Sequence, residues 1–401
     1  MLSENARPYI EASVPVLREH GLAITTVFYR NLFDEYPDLT NLFNMSNQAN
    51  GVQQQSLAAA VFAYAANIDN AAALAPVISR IAHKHASLGI GAQHYPIVGR
   101  HLIGAIQQTL GEAATAPLLS AWDEAYGLLA EALICEEQRL YEGSGVTPGH
   151  LMTMRISAIS EESADITAFT LSPTDGATAP KFKAGQYVSI AIELPDGQRQ
   201  LRQYSLSDAP DQDTLRISVK REIAGADLPA GTVSNWLHEH AKLGCRLKVS
   251  APFGDFTPDT TSSAPLVLIA AGVGVTPMIS VLNQIARTQP QRSVIFAHAV
   301  RNARHHAHRR DLSAARERMP HLKTAIFYEH PDAGNALGEH IHAGLMHPSR
   351  LPSWPVTEAQ VHLCGPLGFM QAQWSALLEA GVPAQHLHRE VFGPDLLDHL
   401  A

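Results

Sequence analysis

The chain has 401 residues, 46% of them hydrophobic and 17% charged, with a formal net charge of −9 and a pI of about 6.1. A single core rarely grows past roughly 250–300 residues, so we read three domains. The negative balance is the wrong sign for a nucleic-acid binder or a protein resting on anionic lipid, and leaves only a local basic pocket for a small anion.

The first ten residues, MLSENARPYI, carry polar and acidic side chains where a signal peptide has a basic start and an apolar run. The longest apolar stretch, LVLIAAGVGVTPMISVL, is broken by two glycines and a proline, so no membrane span is expected. Cys135, Cys245 and Cys364 lie far apart without CxxC spacing, which suggests neither a disulfide framework nor a zinc site and fits a reducing cytoplasm. A cytoplasmic monomer is the expectation.

Residues 1–142 are rich in Ala, Leu, Gln and Glu, place Gly and Pro at segment ends, and contain no run with period two, so they read as an all-α domain. Tyr29 sits in TTVFYRNLF, and NLFNMSNQANGVQQQSL (41–57) supplies Phe43 in a helix connection. Gln53 and Leu57, four residues apart, then share one helix face. Further on, Leu74, Ile78, Ile81, His85 and Leu88 recur at steps of four and three and form one apolar stripe, so His85 faces inward. His83 lies about 200° away on the polar side, and Lys84 roughly 100° from it. A lone His in such a stripe reads as a hydrogen-bonded core residue. Opposed by a helix presenting Gln53 and Leu57, it reads as an axial haem ligand beneath a gas-binding cavity.

FYRNLF, the FNMSNQ turn, the KH pair Lys84–His85, Tyr95 before Pro96, and AYG at 125–127 together resemble the globin domain of bacterial flavohaemoglobins along its whole length. The resemblance implies that His85 is the proximal haem-iron ligand, that Tyr29, Gln53 and Leu57 line the distal pocket with Lys84 at the haem pocket, and that Phe43 packs on the porphyrin. It also implies a Tyr and a Glu behind the imidazole. The matching residues are Tyr95 and, in LICEEQRLY, Glu137, with Glu136 one residue away. A carboxylate accepting the second ring N–H would fix the tautomer and push electron density toward iron, a push that oxygen storage does not need.

GSGVTPG (143–149) marks a break, and runs such as QYVSIAIEL (186–194) and TLRISVKRE (214–222) place a β-rich domain at 151–258. RQYSLS (202–207) resembles the flavin motif of ferredoxin-reductase-like modules. That implies Arg202 at the pyrophosphate, Tyr204 on the flavin, Ser205 at the isoalloxazine edge and Gln203 within the site, with Tyr187 in AGQYVSI a second flavin contact. In GTVSNWLHEH, Ser234 reads as the cap of a helix whose free first-turn N–H groups suit a phosphate.

PDTTSSAP (258–265) opens a third segment, 265–401. Its strand candidates PLVLIAAG, SVIFAHAV, KTAIFYEH and QVHLCG alternate with helix-like sequence, as in a parallel α/β domain. Gly272, Val273, Gly274, Val275, Thr276 and Pro277 form a GxGxTP turn, with the proline in the first turn of a helix. With Cys364, Gly365 and Pro366 of HLCGPLGF, the turn resembles the nicotinamide half of the same reductases. REVFGPD matches their closing segment: it implies that Phe392 covers the flavin, with Glu390, Val391, Gly393 and Pro394 around it. Many members have Cys at Val391, a change we read as packing. ARHHAHRR (303–310) reads as a solvated helix face, with little to support a metal site. Arg301 and Arg304, with no acidic residue in the ten positions 301–310, are placed to meet a ribose 2′-phosphate, so NADH with some NADPH use is expected.

The whole chain is therefore expected to be an all-α globin domain, an antiparallel β-barrel FAD domain and an α/β parallel-sheet NAD(P)-binding domain. Its implied cofactors are haem b, FAD and NADH or NADPH, and its implied activity is the conversion of NO and O2 to nitrate. The alternatives are an oxygen-binding or sensing globin with an attached haem reductase, and a flavin reductase whose globin domain has lost haem.

Overall fold

The computed structural model describes residues 2–43, 48, 50–174, 176–194, 197–225, 229–331 and 338–393. Among them, the first 144 residues carry the helices α1 (Arg7–Glu35), α2 (Val52–Ala66), α3 (Ala71–Leu88), α4 (Tyr95–Leu110) and α5 (Ala116–Ser144). Their core joins Ile10, Phe28 and Leu32 of α1 to Leu102 and Ile106 of α4 and to Trp122 and Ala125 of α5. Helix α2 leans on α1 and meets α3 where Ala60 and Ala63 pack against Val77 and Ile81.

Helix α3 begins where the Asn70 side chain accepts from the Ala73 amide at 3.1 Å. It stops at Gly89, whose φ of 80° lies in the left-handed region. A Cβ at Gly89 would fall 2.6 Å from Cα of Gly149, so two glycines let the linker cross the end of the helix. The apolar stripe expected on α3 is only half right. Leu74 is buried, whereas Ile78, Ile81, His85 and Leu88 are half-buried. The positions most enclosed are Ala82, Ala86 and Ser87, because the small side chains of Ala82 and Ala86 admit α5 on one side and residues 251–253 on the other.

The middle segment forms a six-stranded antiparallel sheet in the order β4 (Arg199–Ser205), β3 (Tyr187–Glu193), β6 (Arg246–Val249), β1 (Met152–Glu161), β2 (Ile166–Pro173), β5 (Leu215–Lys220). A bridge from Leu206, just past β4, to Ile217 of β5 closes it into a barrel. Alternating residues such as Ile156, Leu171, Val188, Ile190 and Ile217 fill the interior, and α6 (Thr232–His240) seals it with Val233 and Leu237.

The last segment is a parallel sheet in the order β10 (Ile341–Ala343), β9 (Leu322–Tyr328), β8 (Val294–Val300), β7 (Leu266–Ala271), β11 (Gln360–Cys364), β12 (Leu387–Glu390). Helices α7 (Val275–Thr288), α8 (Arg309–Arg318) and α9 (Leu367–Glu379) follow β7, β8 and β11. The chain first builds outward from β7 to β10 and then returns to the other side of β7. The order therefore reverses between β7 and β11, and the crevice lies at their C-terminal ends. β10 and β12 were not anticipated: at three and four residues, with His and Arg among them, they carry no apolar run. Among the described residues, no helix is long and apolar enough to cross a membrane.

Candidate functional site

Two side chains from two other helices converge behind His85. Its Nδ1 lies 2.7 Å from Oε1 of Glu137 on α5 and 3.2 Å from the Tyr95 hydroxyl at the start of α4. The Tyr95 hydroxyl also donates to the same carboxylate oxygen. Glu137 is 2% exposed, and its Oε2 has no partner among the described residues. Burial, then the bond to Glu137, pushes the Tyr95 phenol well above its ordinary value, so it stays a donor. A carboxylate that already accepts from Tyr95 accepts the ring N–H as well, which assigns the proton to Nδ1 and leaves Nε2 as the nitrogen with a lone pair for a metal. The donor set thus fits haem iron. Glu136, the alternative one position earlier, turns outward to Arg139 with contacts of 2.8 and 2.5 Å.

On the opposite wall, Gln53 of α2 donates to the Tyr29 hydroxyl at 3.3 Å. Burial raises the Tyr29 phenol to about 12, against a lowering by that bond, so its own proton is retained. No bond donated by Tyr29 is found among the described residues. Phe43 meets Tyr29 edge-on with ring centroids 5.7 Å apart, and Phe33 stacks on it at the same distance. Leu57 packs in the same cluster. Residues 44–47 of the FNMSNQ turn lie outside the described residues.

The far side of α3 faces the barrel and the C-terminal segment. Arg80 lies 3.7 Å from Asp255, the Gly254 amide donates to His83 Nδ1 at 3.0 Å, Lys84 Nζ donates to the Gly393 carbonyl at 2.5 Å, and Gln203 donates to Ser87 at 3.4 Å. The positions 80, 83, 84 and 87 form one helical stripe. His83, expected on a polar outer side, thus meets another domain, and burial lowers its pKa ahead of a compensating pull from Asp255. Lys84, expected at the haem pocket, aims its ammonium at Gly393.

Beside this face stands the flavin motif. Arg202 and Tyr204 on β4 are half-buried, and Ser205 is buried. Arg202 donates to the Leu201 carbonyl at 2.6 Å, and burial holds its guanidinium below the ordinary value. A cation held under that cost suits an anionic group such as a pyrophosphate. Tyr187, opposite Ser205 in the β3–β4 register, has its phenol raised by burial and then by Glu390 and Asp255. Val391 is half-buried and Phe392 is 46% exposed. Pro394 lies outside the described residues. Ser234 does not cap α6: Gly231 occupies that position, and Ser234, in the first turn, donates back to the Gly231 carbonyl at 3.1 Å while accepting from the Glu222 amide.

At the C-terminal end of β7, Gly272 turns the chain with φ 54°, and a Cβ there would enter open space. Thr276 donates to the Val273 carbonyl at 3.0 Å, and Val275, Thr276 and Pro277 make the first turn of α7. At Gly274 a Cβ would lie 2.5 Å from the Cys364 carbonyl oxygen and 2.8 Å from the Gly365 nitrogen, so glycine alone lets this turn touch the β11 turn before Pro366. The Val275 N–H is bonded to the Gly272 carbonyl and Pro277 has none, so what suits a dinucleotide here is the close backbone approach that the two glycines allow at the strand end.

Two expectations here are corrected. His306 and His308 of ARHHAHRR are buried, and α8 begins only at Arg309. His306 is enclosed within its own domain, meeting the Tyr328 hydroxyl at 3.1 Å, while His308 faces the barrel, 2.8 Å from Asp311 and 3.8 Å from Glu162. Glu162, His308 and Asp311 bring ligand atoms within 4.8 Å of one another. Arg216 and Asn283 already donate to Asp311 at 3.0 and 2.9 Å, and a guanidinium there opposes a metal cation. Arg301 is paired with Asp165 of the barrel at 2.8 Å, so the charge expected for a 2′-phosphate has an acidic partner that lies 136 residues away in sequence.

Family models match in three consecutive blocks: a globin over residues 26–133, an oxidoreductase FAD-binding domain over 153–257 and an oxidoreductase NAD-binding domain over 268–374. The chain is 44% identical over 402 residues to a flavohemoprotein of Rhizobium meliloti, covering 99% of each. It is 46% identical over 399 residues to that of Chromobacterium violaceum, covering 98% of each. Among solved structures it is similar to the flavohemoglobin from Malassezia yamatoensis with bound FAD and heme, with TM-score 0.86 and 32% identity over 98% of this chain and 100% of that one. The FAD/NAD-binding domain of a nitric oxide dioxygenase from Vibrio cholerae matches 61% of this chain and 99% of its own length at TM-score 0.56 and 34% identity.

Proposed function

The chain belongs to the flavohemoprotein family, and from that premise we propose that it is a nitric oxide dioxygenase converting NO and O2 to nitrate with electrons from NADH or NADPH. We assign the haem domain to residues 1–142, the flavin domain to 151–258 and the nicotinamide domain to 265–401. When bound, haem b and FAD supply the one-electron oxygen chemistry and the conversion between a two-electron donor and a one-electron acceptor.

The residues of this chain set the conditions for that chemistry. The glycines of the β7–α7 turn and the loop Cys364–Gly365–Pro366 receive the dinucleotide. Arg202, Gln203, Tyr204, Ser205 and Tyr187 hold the flavin, with Glu390, Val391, Phe392 and Gly393 at its nicotinamide side. His85 presents Nε2 to iron while its Nδ1–H donates to Glu137, which makes the ring a stronger electron donor. Tyr29, held by Gln53, keeps a hydroxyl proton for a ligand that gathers negative charge.

The observation that carries the reading is the convergence of His85 and Tyr95 on a buried Glu137. A storage globin needs the Tyr29–Gln53 side but not a carboxylate behind the proximal ring. The test is NO consumption by the purified, haem- and FAD-loaded protein in air with NADH, followed with an NO electrode and a nitrate assay. Rapid consumption with nitrate formed one for one is expected. Normal O2 binding with no NADH-dependent NO loss would leave an oxygen-binding globin with an attached reductase.

A further inference from the structure

We propose that His83 is a positioning residue for electron entry: by accepting from the Gly254 amide it holds the flavin-side loop 253–256 against the helix that carries His85. The inference rests on the flavohemoprotein reading above in taking this contact as the route from flavin to haem.

The bond is 3.0 Å long and joins residues 171 apart in sequence. Gly254 is held from both sides, because Gln186 donates to its carbonyl at 3.2 Å. Its φ of 127° is one that side-chain-bearing residues rarely adopt, and a Cβ there would sit 3.0 Å from the Tyr187 ring. The preceding residue, Phe253, exchanges both backbone hydrogen bonds with Tyr187, at 2.8 and 2.9 Å. The following one, Asp255, lies 3.7 Å from Arg80, one turn before His83 on α3. Three links therefore run from the proximal helix to a flavin-contacting tyrosine, from His83 to Gly254, on to Phe253 and across to Tyr187.

A backbone N–H is an obligatory donor, and at the buried Gly254 the half-buried His83 supplies its acceptor, Nδ1. Removing the ring leaves that N–H to whatever water can enter, and the loop keeps the Asp255–Arg80 pair and the packing of Phe253 near Ala82 and Ala86 but loses its hydrogen bond to α3. Transfer between two held groups falls steeply when their separation or alignment slips by an ångström. His83 touches neither group and acts through Gly254.

Stopped-flow mixing of the full-length, haem- and FAD-loaded protein with NADH under nitrogen separates flavin bleaching from the Soret shift of haem reduction. His83→Ala is expected to slow haem reduction roughly two- to tenfold, the net weight of one hydrogen bond, with flavin bleaching and haem content unchanged. His83→Asn, whose amide oxygen occupies the place of Nδ1, is expected to restore the rate. A second readout involves no electron: hydrogen exchange of residues 252–256 in the full-length chain is expected to quicken by a similar factor in His83→Ala and to recover in His83→Asn. Unchanged haem reduction and exchange in His83→Ala overturn the proposal, as does a defect that His83→Asn leaves unrepaired. A wild-type protein that bleaches flavin but never reduces haem overturns the electron-entry reading, and the exchange arm then decides alone whether His83 holds Gly254.

Discussion

The two walls around the haem position of the globin domain are built on opposite plans. Behind His85, every donor ends on one carboxylate: the ring N–H and the Tyr95 hydroxyl share Oε1 of a buried Glu137. Across from it, Gln53 and Tyr29 meet in a longer, neutral bond of 3.3 Å, and the phenolic proton is left over. The first arrangement fixes one geometry. The second keeps a donor in reserve for something that arrives.

The strongest way to break this contrast is to remove the residue both walls address. His85→Ala is expected to abolish haem retention, seen as loss of the Soret band, while NADH-driven reduction of ferricyanide stays near the wild-type rate because the flavin lies in another domain. His83→Ala should keep its Soret band, and the reverse pattern would show that the ligand has been misassigned. Next in size is Tyr29→Phe. A hydrogen bond to a partly charged oxygen contributes about 1.5–3 kcal/mol, so the O2 off-rate should rise roughly ten- to a hundredfold in stopped-flow dissociation. An unchanged off-rate would reduce Tyr29 to packing.

Glu137→Gln sharpens the other wall. The amide keeps an acceptor for the ring N–H but drops the charge, so NO turnover should fall about tenfold, in the range seen for partners behind a metal ligand, and the haem potential should rise. Equal turnover and potential would mean that the carboxylate only fills space. The smallest effect is expected for Gln53→Leu, which removes one neutral bond to Tyr29 and should quicken O2 release roughly two- to tenfold. A larger effect than that of Tyr29→Phe would mean that Gln53, not Tyr29, donates to the ligand.

Much of this was legible in sequence because local pattern and chemistry coincide there. The step from Gln53 to Leu57, the inward phase of His85 and the glycines of the β7 turn each follow from a short-range rule. What was not legible depends on partners far along the chain. Glu136 and Glu137 differ by one residue, and only the way α5 packs decides which faces His85 and which pairs with Arg139. The stripe of Arg80, His83, Lys84 and Ser87 has the composition of a solvated face, yet Asp255, Gly254, Gly393 and Gln203 reach it from more than a hundred residues away. Arg301 carried no acidic neighbour in its own segment, yet Asp165 reaches it from the barrel. The burial of His308 has the same origin, since Glu162 of the barrel faces it, whereas His306 is enclosed within its own domain by Tyr328 and His298.

The polar stripe on α3 also has a meaning in time. A ribosome adds roughly 5–20 residues per second, and Gly254 lies 110 residues (254 − 144) beyond the end of α5 at Ser144, so the helical domain stands complete for roughly five to twenty seconds before that partner exists. Gly393 follows Lys84 by 309 residues and comes later still. An apolar docking face would spend that interval as an aggregation hazard, whereas Arg80, His83, Lys84 and Ser87 are hydrated until the barrel arrives. The face that looks like ordinary surface in the sequence is one that can wait in water during synthesis and be buried only when the last strand, β12, has been made.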